Sequence, residues 1–193
     1  MTEEEKTEND SSAFRVFLGV LFTSLTAIPI LHFLTFYIDT MENSINNFLI
    51  GFILCFLLVP IFYYFLVIKG LKNYKGSIFL YIFTIFAFTA VVDFILALTI
   101  DGYITTMKYY LYFGEPYLNT SHGALINYWD GTIHYFFYLY FPYCMVKNID
   151  FRYSALYWVG SIGNSMIPLV IGGVVGKHGA NTQWSIFLNV KFF

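Results

Sequence analysis

The chain reads as an all-α polytopic membrane protein, a bundle of five transmembrane helices. Three observations predict that class. Hydrophobic residues make up 58% of the 193 positions and charged residues only 11%, against roughly a quarter charged in a soluble domain. The apolar residues gather into blocks long enough to span a bilayer, which takes about 20 residues in a helix. Ionisable side chains, Asp130 above all, fall inside those blocks. At membrane depth such groups persist where they face a protein interior or a wet cavity, so each is a functional candidate.

Residues 1–13 hold Glu3, Glu4, Glu5, Glu8 and Asp10 against Lys6. That composition predicts a solvated, disordered acidic tail. It lacks the basic start of a secretory signal peptide, so the first helix is expected to be a retained anchor. Two spans fill residues 14–77: Val16–Ile38 and Ile45–Ile68. Three more follow at Ile78–Ile100, Gly123–Tyr143 and Ser154–Gly176, leaving no room for a separate soluble domain. Pro29, Pro60 and Pro168 lie inside spans and favour kinks, since each removes a backbone hydrogen bond. Pro142 is expected to end the fourth span. The fifth is rich in small residues, among them Gly160, Ser161, Gly163 and Ser165. Gly172 and Gly176 form a GxxxG spacing suited to close helix contact.

Five spans place the amino terminus, loop 69–77 and loop 144–153 on one side. That side holds Lys6, Arg15, Lys69, Lys72, Lys75, Lys147 and Arg152; the other holds Lys108, Lys177 and Lys191. Basic residues collect in cytosolic loops, so the amino terminus is expected in the cytosol. The loop Asp101–Ser121 then faces the lumen. It is rich in tyrosine and carries Glu115-Pro116, a composition suited to interfacial anchoring. Its Asn119-Thr120-Ser121 sequon abuts the fourth span, which disfavours modification. Cys55 and Cys144 differ in depth and do not suit a disulfide. No metal-ligand spacing is present and no cofactor is implied. Lys and Arg are too scattered for nucleic-acid binding.

The polar groups at depth form the candidate site. Asn127, Asp130 and His134 are spaced by three and four, which places them on one helix face. Asp93 and Asp130 each lie about seven residues from the lumenal end of antiparallel neighbours, roughly 10 Å below the surface at 1.5 Å per residue. Asn164 on the fifth span falls near the depth of His134. Trp129 and Trp158 contribute aromatic walls capable of cation–π attraction. Asp130 and His134 are the candidate acid–base pair, and Asp93, Glu115, Asn127, Trp129, Asp130, His134, Trp158 and Asn164 the candidate ligand-binding set. A satisfied interhelical network explains the same residues if no ligand enters.

Several ordered motifs carry a resemblance. The run Phe86-Ala87-Phe88-Thr89-Ala90-Val91-Val92-Asp93 is followed by Gly114-Glu115-Pro116-Tyr117-Leu118-Asn119-Thr120. Tyr128-Trp129-Asp130-Gly131-Thr132-Ile133-His134-Tyr135, Leu156-Tyr157-Trp158-Val159-Gly160-Ser161-Ile162 and Val175-Gly176-Lys177 come next, in register. Together they resemble the transmembrane 6 superfamily. That family belongs to the EXPERA group, with the emopamil-binding sterol isomerases and the sigma-2 receptor. The resemblance implies one EXPERA-like domain over 78–183 and a multi-pass protein of the endoplasmic reticulum, Golgi-intermediate or lysosomal membrane. It also implies a role in sterol and triglyceride homeostasis. In that group, acids on the first two domain helices line a cavity for sterols or cationic amphiphiles, and Asp93 and Asp130 occupy those places.

The resemblance departs from the group twice. The sterol isomerases carry a histidine on the first domain helix, and Ile78–Ile100 has none. The family holds two such domains in tandem, whereas this chain holds one, with residues 184–193 resembling the opening of a further helix. The leading expectation is therefore a non-enzymatic protein that binds membrane lipid or sterol. A sterol double-bond isomerase and a scaffold recruiting lipid-handling membrane proteins are the alternatives, and a homo-oligomer is compatible with each.

Overall fold

The computed structural model describes residues 3–37, 53, 57–69, 78–113 and 118–174. All regular structure among them is helical, with no strand. Helix α1 runs from Glu3 to Leu25 and α2 from Ala27 to Tyr37. The break at Thr26 lies just after Leu25, whose carbonyl Pro29 cannot pair with because proline has no N–H. The expected kink is therefore present. Helix α1 begins at Glu3, within the stretch expected as a tail. Two forces favour helix there. Extending an existing apolar helix avoids the cost of nucleation. Acidic side chains also stabilise the positive amino-terminal end of a helix.

Helix α3, Val59–Phe62, has Pro60 near its start, where a missing N–H costs least, and passes into a π-helical turn at Tyr63–Ile68. Most of the expected span Ile45–Ile68 precedes α3 and lies outside the described residues, as does Cys55. Helix α4 is Ile78–Ile100, with the bounds its hydropathy predicts. A short helix α5, Lys108–Phe113, follows. Next come α6 at Ser121–Trp129, a π-helical turn at Asp130–His134 and α7 at Tyr135–Lys147, as one continuous run.

Pro142 does not end this run; it lies inside α7. The carbonyl it leaves unpaired belongs to Tyr138, and a membrane helix tolerates this when its surroundings take up the freed group. The run stops instead at Asn148, whose φ of 58° is the left-handed cap that asparagine adopts readily. Helix α8 is Arg152–Val174 and continues through Pro168. The GxxxG spacing ends at Gly176, and residues 184–193 follow it; both lie outside the described residues.

Among the described residues, two helical stretches, Asn9–Thr35 and Ile78–Ile100, are long and apolar enough to cross a membrane. Helix α4 is the centre of the packing. One side joins Val16 and Val20 of α1 with Phe83 and Ala87 of α4 and Phe141 of α7. The other joins Leu31 of α2 with Val91 and Ile95 of α4 and with Met107, Leu111 and Leu118. The segment around α5 is thereby anchored to the core, and Thr35 Oγ1 adds a 2.7 Å hydrogen bond to the Thr106 carbonyl. Ser24 of α1 meets the Tyr135 hydroxyl of α7 at 2.8 Å.

Candidate functional site

The site is built where α4, the α6–α7 run and α8 approach one another. Gly131 makes the approach of the first two possible. A Cβ at that position would lie 2.6 Å from Phe94 Cβ and 2.8 Å from the Phe94 backbone nitrogen. Any side chain there would push the two helices apart. Asp93 precedes Phe94 and Asp130 precedes Gly131, so the same contact draws the two acid-bearing turns together. Both carboxyl groups lie within electrostatic reach of the Tyr138 hydroxyl.

The turn that carries Asp130 is π-helical from Asp130 to His134. Such bulges insert an extra residue into a helix and recur at functional sites. His134 is 0% exposed and Asp130 9% exposed. The His134 Nδ1 and Asp130 Oδ1 atoms are hydrogen-bonded to each other. The other imidazole nitrogen, Nε2, lies 2.7 Å from Ser161 Oγ on α8. The Trp129 indole N–H donates to the same Ser161 oxygen at 2.9 Å. Ser165, one turn along α8, lies 3.5 Å from Asp130 Oδ1 and donates to the Ile162 carbonyl at 3.1 Å.

The direction of each bond follows from donor inventory. A carboxylate only accepts, so the imidazole proton sits on Nδ1. In the neutral imidazole Nε2 is then the acceptor for the Ser161 hydroxyl, which in turn accepts from Trp129. The result is one chain of donors running Trp129, Ser161, His134, Asp130.

The expected residues divide accordingly. Asp130 and His134 come together as their i, i+4 spacing predicts, and Trp129 joins them through Ser161. Asn127 is buried but turns to its own helix, donating to the Gly123 carbonyl at 2.8 Å, and adds no bond to the pair. Asn164 is exposed; Ser161 and Ser165, three residues before it and one after, meet His134 and Asp130 instead. Trp158 packs against Phe83, Phe86, Tyr138 and Phe141 with ring centroids 5.8 to 6.2 Å apart. Its indole nitrogen is buried, on the side of the Tyr138 ring. Glu115 lies outside the described residues. Among those described, no cluster of His, Cys, Asp and Glu could hold a metal. Cys144 is a buried free thiol.

Comparison with known proteins matches the sequence to a family. The chain is 40% identical to transmembrane 6 superfamily member 2 of Homo sapiens over 112 residues, 58% of this chain and 30% of the human protein. The Rattus norvegicus and Mus musculus proteins of the same name are 40% and 41% identical over the same share. The match therefore spans about a third of the length of these curated relatives. No solved structure matches the chain. The family model described as transmembrane 6 superfamily member 2-like, transmembrane domain, matches residues 26–193. That match covers most of the sequence, so the chain belongs to the transmembrane 6 superfamily member 2-like family and is a membrane protein.

Proposed function

We propose that the chain is a multi-pass protein of lipid homeostasis that holds a sterol or related lipid between its helices. The architecture in this reading is a five-helix bundle, with two amino-terminal spans over 14–77 and an EXPERA-like domain over 78–183. The observation that supports it is the buried Asp130–His134 pair, tied to Ser161 of the next span at 2.7 Å. Polar groups that meet at membrane depth mark ligand sites more often than lipid-facing surface. Asp130, Asp93 and His134 offer the polar contacts for a lipid head, and Trp158 with Tyr138, Phe83 and Phe86 an apolar aromatic face for rings or chains. Binding alone satisfies this role. Lipid-handling membrane proteins and a second copy of the chain are its natural partners. The endoplasmic reticulum or Golgi-intermediate membrane is the expected location, with the lysosomal membrane as an alternative.

Photo-crosslinking with a diazirine sterol tests the site. Adducts on α6 or α7 that disappear in Asp130→Asn and Asp93→Asn are the expected result. Crosslinking unchanged in both variants removes this assignment. A second reading, a sterol double-bond isomerase, draws on the bonded acid–base pair, since that reaction needs one group to give a proton and one to take it. Growth of a strain lacking its own sterol isomerase, restored by this protein and lost in His134→Ala, would establish it; no restoration with the protein present in the membrane would exclude it.

A further inference from the structure

Lipid binding does not account for the order of groups at this site. A carboxylate, an imidazole and a hydroxyl follow one another: Asp130 Oδ1 to His134 Nδ1, then His134 Nε2 to Ser161 Oγ at 2.7 Å. This order makes a serine nucleophilic on unrelated folds, and it is recognised by geometry and roles, whatever the chain order. Asp130 fixes the tautomer, so the Nε2 lone pair faces the Ser161 hydroxyl and can take its proton.

Three further features suit the chemistry. The imidazole is fully buried, so bulk water does not compete for its proton. Ser161 is only half-buried, and at the preceding Gly160 a Cβ would meet nothing within 4 Å. An approaching carbonyl therefore has room beside the hydroxyl. The Trp129 N–H donates to Ser161 Oγ at 2.9 Å, and once that oxygen has bonded to the carbonyl carbon the same N–H is the nearest side-chain donor for the oxyanion beside it. Ser161 is in the middle of α8, where its own backbone N–H is committed to the helix, so a side-chain donor is needed in that place.

We propose that Ser161 is the nucleophile of an acyl-transfer site acting on lipid carboxylic esters. Ser161 Oγ bonds to the ester carbonyl carbon while its proton passes to His134 Nε2. The tetrahedral intermediate collapses, the carbon–oxygen bond to the lipid alcohol breaks, and His134 returns the proton to that alcohol. A hydroxyl acceptor, water or a second lipid alcohol, then gives its proton to His134 Nε2 and bonds to the acyl carbon; the bond from that carbon to Ser161 Oγ breaks, and His134 returns the proton to Oγ, which restores the Ser161 hydroxyl. Ser161 and His134 are the catalytic residues and Asp130 is a positioning residue. Only the substrate class rests on the lipid-binding reading; the site itself rests on the geometry.

The test uses the full chain purified into lipid nanodiscs and a fluorophosphonate probe, which phosphonylates activated serines and needs no lipid substrate. One covalent adduct per chain, mapped to Ser161 by peptide mass spectrometry, is the expected result. Ser161→Ala abolishes it, and His134→Gln slows labelling at least about a hundredfold, within the usual range for loss of a general base. Asp130→Asn alters the pH profile of labelling as well as its rate, which a purely structural residue would not do. The proposal is overturned if the folded wild-type protein gains no adduct while a control esterase in the same sample labels fully. It is equally overturned if the adduct maps to another residue. Sterol crosslinking that persists without labelling would leave lipid binding standing and remove the acyl-transfer site alone.

Discussion

Gly131 sets the distance between the two acid-bearing helices, because a Cβ there would meet Phe94 atoms at 2.6 to 2.8 Å, two of them backbone. Gly131→Ala should therefore destabilise the protein by about 1–3 kcal/mol, the usual cost of overpacking. Gly163 faces open space. Gly163→Ala should be neutral or slightly stabilising, since alanine is about 0.5–1 kcal/mol the better helix former. Chemical unfolding in bicelles compares the two, and equal effects would mean that Gly131 is not a contact point. His134→Ala removes the partner of a buried carboxyl and should cost about 1–3 kcal/mol in the same assay, the range for leaving a buried polar group unpaired; a loss below that of Ser161→Ala would contradict the wiring described above. The sequence showed part of this site. Asp130 and His134 were legible because an i, i+4 pair shares a face in any helix. Ser161 and Ser165 were not, because small residues in a glycine-rich span read as packing. Depth alone singled out Asn164, but a helix turns about 100° per residue. The side of α8 that meets His134 is fixed by tertiary contact, to which hydropathy is blind.

Elements were more legible than azimuths. The bounds of α4 follow from hydropathy alone, and the break before Pro29 follows from its missing N–H. The π-turn at Asp130–His134 was hidden, because it keeps the same residues in contact while adding one to the turn. Pro142 misled because proline ends helices in water, where a broken run can be solvated; in a membrane helix the backbone has nowhere better to go. Packing of α1 on α7 includes the Ser24–Tyr135 hydrogen bond at 2.8 Å. A double-mutant cycle of Ser24→Ala and Tyr135→Phe should give a coupling near 0.6 kcal/mol, typical of polar bonds between membrane helices. A coupling indistinguishable from zero would show that α1 is held by apolar contact alone.

At the scale of the whole molecule, the long helices set which ends share a side of the membrane. Lys147, in the last turn of α7, lies 3.2 Å from Asp10 in α1 and donates to the Tyr143 hydroxyl at 3.1 Å. Tyr143 and then Asp10 hold the Lys147 amine above its usual range. A raised amine keeps its charge through neutral pH, and its contribution is lost only as pH rises past that value. The pair is exposed and adds little stability, but it fixes topology, because two groups in contact cannot lie on opposite sides of a bilayer. Asp101 is bonded to Tyr128 at 2.8 Å, near the far end of the α6–α7 run. With the excess of Lys and Arg on the side of Asp10 and Lys147, that side should be cytosolic. Epitopes at the amino terminus and after Asn148 should both bind antibody in cells whose plasma membrane alone is permeabilised, while one at Gly102 should require full permeabilisation. Opposite accessibility of the first two would break the Lys147–Asp10 contact and, with it, the packing of α1 on α7 that closes the bundle on one side of the site.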